Sequence, residues 1–275
     1  MGNLNRLPGC NSLPGLGRSA QRVMVMTDDR IFYCGLLGLR SMSLLGSVTV
    51  YVSFDGPLSV CFDDGRTLVG TCAAVAPYVP HRIVSSDPCI GILNLEPELI
   101  DIAALPWLGD GPDAAEALEH LAMRIRALYA RLAAGEAGDI LLDLDIDTPL
   151  FGASIPRRRL DPRIAAVVER IREDPTTHFH AERCADDSAL SFSRFLHLFR
   201  SETGVPFRRF KAWKRARTML RYVNQEANLT EIALKIGYPG GSHFSNTIRH
   251  VFGLKPRDMF AGARRLRLVT GFDAR

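Results

Sequence analysis

Phe192-Ser193-Arg194-Phe195-Leu196-His197-Leu198-Phe199-Arg200-Ser201-Glu202-Thr203-Gly204 returns 49 positions on, as Gly241-Ser242-His243-Phe244-Ser245-Asn246-Thr247-Ile248-Arg249-His250-Val251-Phe252-Gly253. Phe195, Phe199, Arg200 and Gly204 of the first stretch fall on Phe244, Ile248, Arg249 and Gly253 of the second. In each copy the apolar pair is spaced by one helical turn, so both side chains share a face. Ser193, Leu196, His197 and Arg200 occupy the other face of the first copy. Ser242, Ser245, Asn246 and Arg249 do so in the second. One side of each segment fits a core, and the other is left to meet a partner.

What precedes each copy sharpens this reading. Ala185 and Ala233 take the close-packed position of a preceding helix, and Ala189 and Gly237 follow four residues later at a turn. A positioning helix, a tight turn and a second helix with a polar outer face make a helix-turn-helix. Two such units are joined by a basic stretch, Pro206 to Val223, which predicts a linker helix of 18 residues. At ~1.5 Å per residue it is ~27 Å long. Successive major grooves on one side of B-DNA lie ~34 Å apart, so the linker suits two reading helices one turn apart on a slightly bent duplex.

The charge agrees with a polyanion partner for one half of the chain only. Residues 1–156 carry ten Arg, no Lys and 18 acidic residues; residues 157–275 carry 24 Lys plus Arg against 12 acidic residues. The first part is therefore net −8 and the second +12 within an overall +4. The six cysteines show no C-x-x-C and no zinc spacing, the usage of reduced thiols. No apolar run reaches the ~18 residues a membrane span needs, and Arg6 stands where myristoylation needs Ser or Thr. No signal peptide is visible, so a cytoplasmic, nucleoid-associated location is expected.

Five segments are expected. Residues 1–20, rich in Gly, Pro, Asn and Ser, read as a flexible arm. Residues 21–135 open with short β-type runs between turn signals such as Asp55-Gly56-Pro57, which argue a small barrel or sandwich. They close with a helix capped by Asp113 and Glu116. Along it Leu118, Leu121, Ile125, Leu128 and Leu132 form a heptad seam that suits either the chain's own barrel or a homodimer contact. Residues 136–160 are a connector, 161–262 the double helix-turn-helix domain opened by Asp161-Pro162, and 263–275 a basic tail with Arg264, Arg265 and Arg267.

The residues around the two units resemble the AraC/XylS family of bacterial transcription regulators. The matching stretches are Leu190 to Phe195, Phe199 to Gly204, Ile232-Ala233, Gly237-Tyr238, Ser242 to Ser245 and Phe252-Gly253-Leu254-Lys255-Pro256. The resemblance implies promoter binding, contact with RNA polymerase and, as the usual outcome, activation. By matching position it assigns Ser193, Arg194, Leu196, His197 and Arg200 to one groove, and Ser242, His243, Ser245, Asn246 and Arg249 to the next. Ser191, Arg208, Arg215 and Lys255 are candidate phosphate contacts. The family pattern has Arg at Asn246, an aromatic at Ile248 and Gly at Ala189. Asn reads adenine where Arg prefers guanine, so the preferred base shifts at that position.

Pro77-Tyr78-Val79-Pro80-His81 is similar to the second motif of a cupin barrel, the sensor domain of many such regulators. The implied fold is α+β: a cupin-like β-barrel plus helix, then an all-α domain with two helix-turn-helix units. His81 and Tyr78 are the candidates for touching a small-molecule effector. His81 is the first histidine in the chain and no carboxylate partners cluster with it, so no metal, cofactor or catalytic role is expected. Two alternatives stay open: a cupin enzyme fused to a DNA-binding module, and a regulator whose first domain is a structural or interaction module without an effector.

Overall fold

The computed structural model describes residues 22–38, 41–136, 144–225, 228–263 and 266–270. The expected N-terminal arm lies outside the described residues. Eight strands come first: β1 (Arg22–Met26), β2 (Arg30–Leu36), β3 (Val48–Ser53), β4 (Leu58–Phe62), β5 (Thr67–Gly70), β6 (Cys72–Val75), β7 (His81–Ser85) and β8 (Cys89–Leu95). They form a large sheet and a small one of order β5-β4-β7. In the large sheet the order runs β6-β3-β8-β2-β1 and then a last strand, β9 (Leu266–Thr270), from the far end of the chain.

β9 lies parallel to β1, Val23 beside Arg267 and Val25 beside Val269. A basic tail was expected from 263 onward. Instead, Leu266, Leu268 and Val269 supply the apolar strand content that lets this segment cover the β1 edge, which would otherwise expose unpaired N–H and C=O groups. Arg22 reinforces the join by donating to the Gly262 carbonyl at 2.8 Å.

Every residue of β3 and β8 is buried, because the large sheet is covered on both faces. One face presents Val23, Val25, Phe32, Val48, Val50, Val52, Leu93 and Leu95 to helix α1 (Pro112–Ala134). Alternate residues, among them Met24, Met26, Ile31, Tyr51, Ile90 and Ile92, point the other way, toward the small sheet and the helical half.

The seam on α1 belongs to this first core. Leu121, Ile125, Leu128 and Leu132 are at most 3% exposed and pack on the chain's own sheet, with Leu118 half-buried beside them. The dimer assignment of these five residues is therefore corrected: burying them against a second copy would require unpacking the barrel. The expected cap is corrected too. α1 starts at Pro112 after Gly111, with Asp113 in its first turn and no side-chain cap. Between the halves, a short helix α2 (Asp147–Phe151) is fixed by Arg30, whose Nε donates to Asp147 Oδ1 at 2.9 Å and Nη2 to Oδ2 at 3.0 Å.

The helical half comprises α3 (Pro162–Glu173), α4 (Ala181–Asp187), α5 (Phe192–Thr203), α6 (Phe207–Thr218), α7 (Leu229–Lys235), α8 (Gly241–Phe252) and α9 (Pro256–Gly262). Asp161 caps α3 by accepting from the Arg163 N–H, and Asn228 caps α7 by accepting from the Thr230 N–H. The linker is not one continuous α-helix. α6 gives way to a 3₁₀ turn, Met219–Tyr222. The two together still span about 26 Å at their respective rises.

Candidate nucleic-acid interface

Two helix-turn-helix units are present, and their turns repeat bond for bond. In the first, α4 ends as the Leu190 N–H donates to the Ala185 carbonyl at 2.9 Å; in the second, Tyr238 donates to Ala233 at 2.9 Å. Ala185 and Ala233 are buried, small enough for helices to cross closely. Ala189 (φ 52°) and Gly237 (φ 78°) hold the left-handed conformation that such a turn needs. Gly is free there, whereas Ala189 carries the Cβ penalty of that region.

The reading helices are amphipathic in the orientation expected. Phe195, Phe199, Phe244 and Ile248 are fully buried. Ser193, Arg194, His197, Arg200, Ser242, His243, Asn246 and Arg249 are exposed, and Leu196 and Ser245 are half-buried at the margins. Arg200 and Arg249 have no ion-pair partner among the described residues. The His243 ring lies 5.6 Å from Tyr238, which orients it at the start of α8.

The candidate phosphate contacts divide. Arg208 and Lys255 are exposed. Ser191 caps α5, accepting from Arg194 N at 3.4 Å, so its hydroxyl already serves the helix terminus. Arg215 is half-buried and reaches the carbonyls of Pro175, Thr177 and Gly237, tying the two units together. Its role is thus structural, because planar guanidinium donors suit several converging carbonyls.

The basic residues of α6 divide between solvent and the first domain. Lys214 and Arg217 are 4% and 5% exposed and point at the barrel. Lys214 Nζ donates to Glu96 Oε2 at 2.6 Å and also pairs with Glu98. Arg217 Nε stands 2.8 Å from Glu96 Oε1, and Trp213 Nε1 donates to Glu96 Oε2 at 2.8 Å. Burial alone would raise Glu96, but the Lys214 and Arg217 charges, with hydrogen bonds from Lys214 and Trp213, outweigh it and hold the carboxyl below its ordinary value. Glu98 is pushed up, chiefly by burial, with Glu96 adding to the effect. The only hint in the sequence is positional: Lys214 and Arg217 flank the apolar side of α6 beside Trp213.

The two effector candidates, His81 and Tyr78, are both packed into the fold. His81 is 1% exposed, its Nε2 2.7 Å from the Tyr51 hydroxyl and its Nδ1 2.7 Å from the Val79 carbonyl. Both ring nitrogens are thus engaged in the barrel core. Tyr78 sits in the left-handed region (φ 59°) and packs between the two halves. Burial, then Glu96 and Glu98, raise its phenol well above the usual value.

Comparison with known proteins agrees with this geometry. Residues 184–262 match the family model described as a helix-turn-helix domain. Over 75 residues the chain is 31% identical to the invasion protein InvF of Salmonella typhi and to that of Salmonella typhimurium. The match takes in 27% of this chain and 35% of theirs, so the chain spans about a third of the length of these curated relatives. The fold of nearly the whole chain is similar to that of ToxT from Vibrio cholerae. Apo ToxT of strain SCE256 gives a TM-score of 0.54 at 10% identity, over 85% of this chain and 97% of that one. ToxT of strain O395 gives 0.52 at 9% identity, over 86% and 98%. Residues 184–262 are a helix-turn-helix domain, carried behind a sheet-rich first domain in a two-domain α+β fold similar to that of ToxT.

Proposed function

We propose that this chain is a sequence-specific DNA-binding transcription regulator that reads two successive major-groove segments with α5 and α8. One observation carries the reading: two helices with buried apolar inner faces and exposed polar outer faces, coupled through a linker of about 26 Å. Arg200 and Arg249 contact base edges or phosphates, Asn246 reads a base where the family pattern has Arg, and Arg208 and Lys255 neutralise phosphates. The resemblance to the AraC/XylS pattern supports promoter activation through contact with RNA polymerase as the output. The barrel packed against that domain supports modulation by a small molecule, through different affinities for two arrangements of the halves.

Gel-shift titration of promoter DNA at several salt concentrations tests the DNA reading. Arg200→Ala and Arg249→Ala should each weaken binding, and Lys255→Ala should flatten the salt dependence by about one counterion. Unchanged affinity in both arginine variants would refute the assignment of the reading helices.

A further inference from the structure

A cavity of about 210 Å³ lies on the boundary between the barrel and the second helix-turn-helix unit. Met24, Leu45 and Ile92 wall it on the barrel side, and Val223, Phe252 and Met259 on the other. No residue of α3, α4 or α5 lines it. Its size exceeds the ~150 Å³ of an apolar cavity that stays dry and admits benzene. Its walls offer a charged ligand little solvation. Among the described lining residues the ionisable side chains are Tyr33 and Asp258, and neither is a cation.

The same boundary controls where the second reading helix points. The last carbonyls of a helix lack partners within it. At the end of α8 the barrel supplies them: Ser41 N–H donates to the Gly253 carbonyl at 2.8 Å and Leu44 N–H to that of Val251 at 3.0 Å. Phe252, which lines the cavity, lies between those two carbonyls in sequence. A molecule filling the cavity therefore presses on the residue at which α8 is anchored. The first reading helix ends at Gly204, beside which a Cβ would meet nothing within 4 Å, whereas one at Gly253 would stand 2.5 Å from the Ser41 carbonyl oxygen.

We propose that the cavity is the binding site of an uncharged, largely apolar molecule larger than benzene, and that its occupancy changes how α8, and not α5, engages DNA. The second part rests on the reading of α5 and α8 as DNA readers; the first does not. Octanol and octanoate serve as matched probes on the full chain, with calorimetry and thermal unfolding as readouts. Octanol should saturate at one molecule per chain and raise Tm, while octanoate at equal concentration should do neither. A diazirine-bearing octanol analogue should label the peptide from Phe252 to Met259, and Val223→Phe should abolish both binding and labelling.

Octanoate binding as tightly as octanol would overturn the uncharged assignment. Labelling elsewhere, or no saturable binding of either probe, would overturn the site. In hydroxyl-radical footprints octanol should alter protection only in the half-site that Arg249→Ala loses. Equal change in both half-sites would overturn the selective readout. Absence of any footprint would instead defeat the DNA reading while leaving the calorimetric result to decide the site.

Discussion

Phe195 and Phe244 occupy matching places in the two reading helices and both are fully buried, yet they are buried in different cores. Phe195 packs with Ile164, Val168, Phe199, Phe207 and Phe210 in a cluster confined to the helical half, with Tyr78 and other half-buried residues at its margin. Phe244 belongs to a cluster that runs on without a break through Trp213, Met219 and Leu220 into Met24, Ile31, Tyr51 and Ile92 of the barrel. The same motif is thus an independent unit in one copy and an extension of the first domain in the other. Duplicated sequence implies duplicated local structure, but not duplicated coupling, which depends on what each copy is packed against.

The largest expected effect comes from the charges that join α6 to the barrel. Lys214→Met leaves Glu96 and Glu98 buried without their ammonium partner, and breaking a buried pair in this way costs about 3–5 kcal/mol. The sign of the pH dependence follows from Glu96. Its carboxyl is held low in the folded state, so it stabilises the fold above the unfolded carboxylate value and loses that contribution as pH falls through the folded one. The stability deficit of Lys214→Met in urea denaturation should therefore narrow as pH falls through the carboxylate range. A deficit independent of pH would mean the cluster is held by packing alone.

Truncating the matched phenylalanines should cost about 3–5 kcal/mol each where two-state unfolding holds. Their hydrogen-exchange signatures should differ. Phe195→Ala should loosen α3 to α6 and leave β1 and β2 protected, while Phe244→Ala should raise exchange in the barrel strands as well. Equal spread from both sites would abolish the distinction between the two units.

Gly204 and Gly253, 49 positions apart, give a finer comparison. Both hold left-handed conformations, at φ 78° and 69°. Gly204→Ala should lose only the ~1–2 kcal/mol of that region. Gly253→Ala should lose more, because the backbone at Ser41 must also retreat. Comparable losses in thermal melts would show that the barrel does not hold the end of α8 closely. The smallest effect expected is a gain: Ala189→Gly should stabilise the first unit by about 1 kcal/mol by removing the left-handed penalty, net of glycine's greater entropy loss.

The two reading helices were legible in the sequence because their buried and exposed positions repeat with helical period and recur as a pair. Asp161-Pro162 was legible as the start of a helix because such signals are local. The seam on α1 was visible as a seam, but Leu121 and Ile125 look the same whether they meet a barrel or a second copy. Arg215 read as a phosphate contact, and Lys214 and Arg217 showed little sign of a buried role, because their partners, Glu96, Glu98 and the carbonyls of Pro175 and Thr177, lie far away along the chain. β9 was missed for a similar reason. Leu266 to Thr270, with Arg267 among them, read as part of a basic tail until the β1 edge, more than 240 positions earlier, is available to pair with them.

Hydroxyl-radical footprinting of the full chain on its promoter, with Arg200→Ala and Arg249→Ala alongside, tests the paired-reader account most directly. Two protected patches about 10 base pairs apart on one side of the duplex are expected, one lost in each variant. A single patch, or both variants losing the same contacts, would contradict it.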